Sequence, residues 1–113
     1  MIRFDILNRY TGSVIFTAEI DCGESCSRNI KLGLAVQAAV KVGANLYEAN
    51  LDGSNLNGAN LAGANLYEAS LVGSNLNGAN LYGSNLYGSN LTGANLNGSN
   101  LPGANLNVAN LGW

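Results

Sequence analysis

The chain has 113 residues, a formal net charge of −2, 11% charged residues and no histidine. That length fits one domain, and the weak negative charge argues against nucleic acid or an anionic membrane as an electrostatic partner. The five cations (Arg3, Arg9, Arg28, Lys31, Lys41) all precede residue 42, and the rest of the chain carries only Glu48, Asp52 and Glu68 as charged side chains. The opening Met1-Ile2-Arg3-Phe4-Asp5 is no signal-peptide apolar run. The longest apolar stretch, residues 32–40, is too short to span a bilayer. A cytoplasmic protein without a membrane partner is the expectation.

Residues 2–20 predict a β-hairpin. Ile2, Phe4 and Ile6 alternate with Arg3 and Asp5, and Val14, Phe16, Ala18 and Ile20 alternate with Thr17 and Glu19. The polar link from Asn8 to Gly12 suits a hairpin loop. Cys22 and Cys26 come next. Without histidine they cannot complete a four-ligand zinc site, and their spacing is not that of a CxxC redox pair. Two reduced thiols in a loop are expected, with a local disulfide as the alternative. No metal or cofactor is expected. Residues 28–42 predict an amphipathic helix, because Leu32, Ala35, Val36, Ala39 and Val40 share one face. Ser25 or Ser27 can cap its start and Gly43 can end it. Residues 1–43 thus form a hairpin-plus-helix cap, and the helix must dock directly on the segment that begins at Ala44.

From Leu46 to Leu111 a leucine occurs at every fifth position. Ala or Ser sits two residues before each leucine. Asn sits directly before it, except at Ser70. Gly sits two residues after it, except at Glu48, Glu68, Val108 and Trp113. A period of five fits neither a helix nor a long strand. A short extended step followed by a corner fits both constraints, with the small residue and the leucine inward and the Asn outward. A second period of 20 brings Tyr47-Glu48 into register with Tyr67-Glu68, and Asn57 with Asn77 and Asn97. Residues 20 apart then touch, and four pentapeptides close one coil. Duplication of a 20-residue unit would give the same pattern.

Residues 44–113 resemble pentapeptide-repeat proteins, whose motif is commonly A-[ND]-L-x-x. The resemblance implies an all-β solenoid, a right-handed quadrilateral parallel β-helix of about three and a half coils. At an inter-strand spacing of about 4.8 Å it would be roughly 17 Å long. The stretches NRYTGSVIFTAEIDC and KLGLAVQAAVKVGANL are similar to the leader of some bacterial and phage-associated members. Three details are expected of the coil. The buried serines should donate to corner carbonyls. The outward asparagines should hydrogen-bond to one another along the stack. The corner holding Glu48, Glu68 and Val108 should not need positive φ.

A non-enzymatic scaffold with an unidentified protein partner is the functional expectation. The candidate face is Tyr47, Glu48, Tyr67, Glu68, Tyr82 and Tyr87, since exposed aromatics are enriched at interfaces. Tyrosines that merely stack to shield the backbone are the other reading. The resemblance also implies an alternative, because some members imitate B-DNA and bind DNA gyrase, a type II topoisomerase. DNA carries a charge per roughly 1.7 Å, so about 17 Å of coil should carry about ten charges, and these repeats carry three. Catalysis is disfavoured, because Glu48 and Glu68 would face solvent on a convex rod. Ice binding usually repeats Thr, and the repeats hold only Thr92. Leu96, Leu101, Leu106, Leu111 and Trp113 form a candidate end-to-end interface. Two such ends can meet about a two-fold axis as a homodimer, or Trp113 can fold back and lid its own coil.

Overall fold

A computed structural model describes residues 1–112. Strand β1 (Ile2–Asn8) pairs antiparallel with β2 (Val14–Ile20), from Ile2 opposite Ile20 to Leu7 opposite Val14. The register slips between Ile6 and Leu7. That bulge shifts the alternation of β2, so Ala18 and Ile20 are buried while Val14, read from the sequence as inward, is exposed. An extra residue in one strand turns the following side chain to the other face. The Asn8 side chain shapes the loop by accepting from the amides of Tyr10 and Thr11.

Helix α1 (Arg28–Lys41) starts at Ser27, whose hydroxyl accepts from Ile30 N–H at 3.3 Å. It ends in a Schellman arrangement: Gly43, at φ +71°, donates to Val40, and Ala44 donates to Ala39. Only glycine enters that left-handed turn without steric cost. The helix buries Leu32, Ala35, Val36 and Ala39 against the leucines of the first coil. Gly33 lies flat on that coil, where a Cβ would fall 1.9 Å from the Asn55 carbonyl oxygen. Cys22 and Cys26, with Cα atoms 6.3 Å apart, form a disulfide. The tight turn before the helix brings the two sulfurs within bonding reach, which corrects the expectation of free thiols.

The repeats form a β-helical solenoid. Parallel bridges join residues 20 apart, from Asn50–Ser70 to Asn90–Asn110. Backbone hydrogen bonds account for four of the five amides in a pentapeptide. Leu61 donates to Asn80 O and Gly63 to Tyr82 O in the next coil, Asn80 donates back to Ala59 O, and Ala64 closes the corner on Leu61 O. The fifth amide belongs to the residue after leucine, and the outward asparagine takes it. Ala62 N–H donates to Asn60 Oδ1, and the same bond recurs at Tyr47, Asp52, Asn77 and Thr92. The asparagines are therefore Asx turns rather than a ladder along the stack. The exception has a direct cause: Pro102 has no N–H, so Asn100 is free to donate to Asn80 Oδ1 at 3.2 Å.

Each corner is a turn from leucine to the next small residue, with positive φ at its third position, so it is of type II, which also accepts proline at its second position. Glu48, Glu68 and Val108 adopt φ of +59°, +53° and +63°, like the glycines. The expectation of an easier corner in that column was wrong. The ladder above and below imposes one corner geometry on every column, whatever residue occupies it. Four buried serines also depart from expectation. Among the described residues, the Ser54, Ser74, Ser84 and Ser89 hydroxyls have no partner, and of the inward serines only Ser99 donates to a carbonyl, that of Leu96. The Leu96 carbonyl accepts both the Ser99 amide and the Ser99 hydroxyl.

Two consequences for stability can be measured. Val108 is 75% exposed and β-branched at positive φ, so Val108→Gly should stabilise by about 1 kcal/mol in denaturant melts. At Ser70 the Asx oxygen is missing, and Asp52 of the preceding coil supplies it, accepting from Val72 N–H at 2.9 Å and from the Ser70 hydroxyl. Asp52→Ala should cost about 1–3 kcal/mol by orphaning those donors. Adding Ser70→Asn should restore most of that loss, as a double-mutant cycle by chemical denaturation will show.

Candidate interaction surfaces

Tyr47, Tyr67 and Tyr87 occupy the slot after leucine in three successive coils, so the 20-residue bridge stacks them. Ring centroids lie 4.5 Å apart between Tyr47 and Tyr67 and 5.3 Å between Tyr67 and Tyr87, with planes within 3° and 9°. Their backbone amides are held by Asn45, Asn65 and Asn85. A fixed backbone and mutual stacking leave these side chains little freedom to lose on binding. Tyr82, 59% exposed, stands outside this stack, in the column of Ala62 and Pro102.

Glu48 and Glu68 are not the open acidic border that the sequence suggests. The hairpin tip docks on them. Arg9 N–H donates to Glu48 O at 2.8 Å, the Arg9 guanidinium donates to Glu68 O at 3.0 Å, and Asn8 Nδ2 donates to Glu48 Oε1 at 3.3 Å. The Arg9 guanidinium also lies 4.8 Å from the Tyr10 ring centroid. Sequence reasoning missed Asn8 and Arg9. They read as loop residues, and no local pattern states where a loop tip lands.

Leu96, Leu101, Leu106 and Leu111 form the last ring and are half-buried, whereas Leu91 before them is 1% exposed. Trp113, named with them, lies outside the described residues. At the other end, a cleft of about 440 Å³ opens between α1 and the first coil, lined by Gln37, Val40, Lys41, Asn60 and Ala62. Among the described residues no three His, Cys, Asp or Glu side chains are placed to hold a metal ion. No helix there is long and apolar enough to cross a membrane.

The family model for pentapeptide repeats matches in eight copies over residues 44–83 and 74–112. The chain belongs to the pentapeptide-repeat family. Among solved structures, a pentapeptide repeat protein of the Arabidopsis thaliana thylakoid lumen is 25% identical with a TM-score of 0.58, the match covering 61% of this chain and 49% of that one. A pentapeptide repeat protein from the cyanobacterium Cyanothece is 48% identical with a TM-score of 0.49, covering 50% and 38%. HetL from the cyanobacterium Nostoc, involved in heterocyst differentiation regulation, is 36% identical with a TM-score of 0.36, covering 59% and 36%. This chain thus spans less than half the length of these three structures. No curated protein matches it. Proteins of this family are in general non-enzymatic scaffolds or interaction proteins.

The stack leaves a chemical signature. Burial between its neighbours, then the nearby Tyr47 and Glu68, raise the Tyr67 phenol above its ordinary value of 10.0. The folded chain therefore holds this proton longer than the unfolded chain does. The stability it contributes is intact below the ordinary phenol value and is lost as pH rises through the folded one. In alkaline spectrophotometric titration, Tyr67→Phe should remove a phenol that titrates above its ordinary value.

Proposed function

We propose that this chain is a non-enzymatic protein-interaction scaffold, wound as a right-handed four-sided coil, whose binding face is the column of Tyr47, Tyr67 and Tyr87 with Tyr82 nearby. The stacked rings are the observation that carries the reading. They present a rigid aromatic strip, and tyrosine is among the residues that dominate interface energetics. The partner is a protein that lays apolar or arginine side chains on that strip. The hairpin tip that engages Glu48 and Glu68 flanks the strip and supports its backbone.

Imitation of DNA, as in a gyrase-binding protein, has less support. Of the three carboxylates in the repeats, Glu48 accepts from Asn8 and Asp52 accepts from Val72. These bonds come from neutral donors and leave the charges in place, but three carboxylates along the coil are far fewer than a duplex carries over the same length. The Cys22–Cys26 disulfide favours work in an oxidising compartment over the cytoplasm.

A photo-crosslinking residue at Tyr82 in the otherwise native chain tests the proposal in a cyanobacterial lysate. It should yield a discrete adduct, and Tyr67→Ser with Tyr87→Ser should abolish that adduct while the protein still melts cooperatively. An equal yield from a crosslinker at Asn57, or an adduct that survives both serine substitutions, overturns the assignment of this face.

A further inference from the structure

The first coil of a solenoid exposes a strand edge, because its outward residues have no earlier coil to pair with. The N-terminal segment closes this edge unevenly. Asn50 of β3 (Ala49–Asn50) pairs with Leu7 of β1. Asn55 N–H donates to the Asn29 carbonyl of α1 at 3.0 Å. At Asn60 nothing arrives. Among the described residues, the Asn60 N–H, the Asn60 carbonyl and the Ala62 carbonyl have no hydrogen-bond partner.

One coil further on, the equivalent groups show what is missing. Asn80 N–H finds the Ala59 carbonyl, Asn80 O accepts from Leu61, and Tyr82 O accepts from Gly63. The vacant edge therefore has room for one carbonyl and two N–H groups from a short extended backbone. The cleft of about 440 Å³ lies over this edge, and a second of about 210 Å³ continues it past Val40 and Ala62 toward Asn65. Ala62 is the only alanine in the slot after leucine, where other coils place Tyr, Asn, Asp, Val, Thr, Pro or Gly. Its small side chain keeps the lip of the cleft low. Val40 supplies an apolar wall. Lys41 supplies the one cation lining the cleft.

We propose that this cleft binds an extended segment of a partner protein as an added strand on the Asn60 edge, with an aliphatic side chain against Val40 and a carboxylate toward Lys41. Backbone pairing gives the affinity and the alternating side chains the selectivity, as in other cases of strand addition to an open edge. The surface is separate from the tyrosine column, so each proposal can fail without the other.

The probe is an acetylated and amidated pentapeptide of alternating glutamate and valine, titrated into the full chain. Amide hydrogen exchange is read at Asn60. The peptide should slow exchange of the Asn60 amide by about tenfold. A version with lysine in place of glutamate should bind more weakly, and one with a central proline should give no protection. Ala62→Tyr fills the lip with a side chain that the column already accepts at Tyr82. That variant should keep the melting temperature and lose the protection. Unchanged exchange at millimolar peptide, equal protection by the proline peptide, or protection that survives Ala62→Tyr overturns the proposal.

Discussion

The solenoid depends on the fifth amide of each pentapeptide being satisfied within that pentapeptide. Four amides are taken by backbone carbonyls of neighbouring coils or of the corner, and no backbone carbonyl takes the fifth. The asparagine before each leucine accepts it, which fixes the direction of the chain into the corner. Most of these bonds are exposed to water, so they act mainly by holding the backbone in the turn that leads into the corner. The two departures make the constraint visible. Ser70 lacks the amide oxygen, and Asp52 reaches across one coil to replace it. Pro102 lacks the N–H, and Asn100 turns to a different neighbour.

Corner strain is distributed by the same ladder. Glycine at positive φ costs little in the folded chain, whereas Glu48, Glu68 and Val108 accept the left-handed conformation with a Cβ. At Glu48 and Glu68 the hairpin tip binds the outward carbonyls, so strain in the coil is coupled to docking of the N-terminal segment. Among the described residues, Val108 has no such contact in the hydrogen-bond network. The unpartnered hydroxyls of Ser54, Ser74, Ser84 and Ser89 are a second place where the repeat tolerates a cost inside its core.

The N-terminal segment meets the first coil in three ways. The hairpin extends one edge of the first coil as a strand, the helix plugs the leucine-lined end, and a helix carbonyl takes one further amide. A straight helix and a two-stranded hairpin cannot track a coil that turns every five residues. Their mismatch with that path leaves the Asn60 edge and its cleft open.

The sequence by itself determined the repeat, its period of five, the inward columns and the in-register tyrosines. Those features are periodic, and periodicity states which residues touch without any knowledge of distant contacts. The hairpin and the helix were legible for the same local reason, in alternation and in a face of five apolar residues, and Ser27 and Gly43 marked the helix ends. Tertiary structure decided everything that a column cannot express. It bent the outward asparagine side chains back onto their own backbone and placed Val14 outside through a bulge. It joined Cys22 to Cys26, set Arg9 on the Glu48 and Glu68 carbonyls, and imposed positive φ on three residues that are not glycine. Each of these depends on where a hydrogen-bond partner from another coil or element arrives, and that position is a property of the closed ladder rather than of any short stretch of chain.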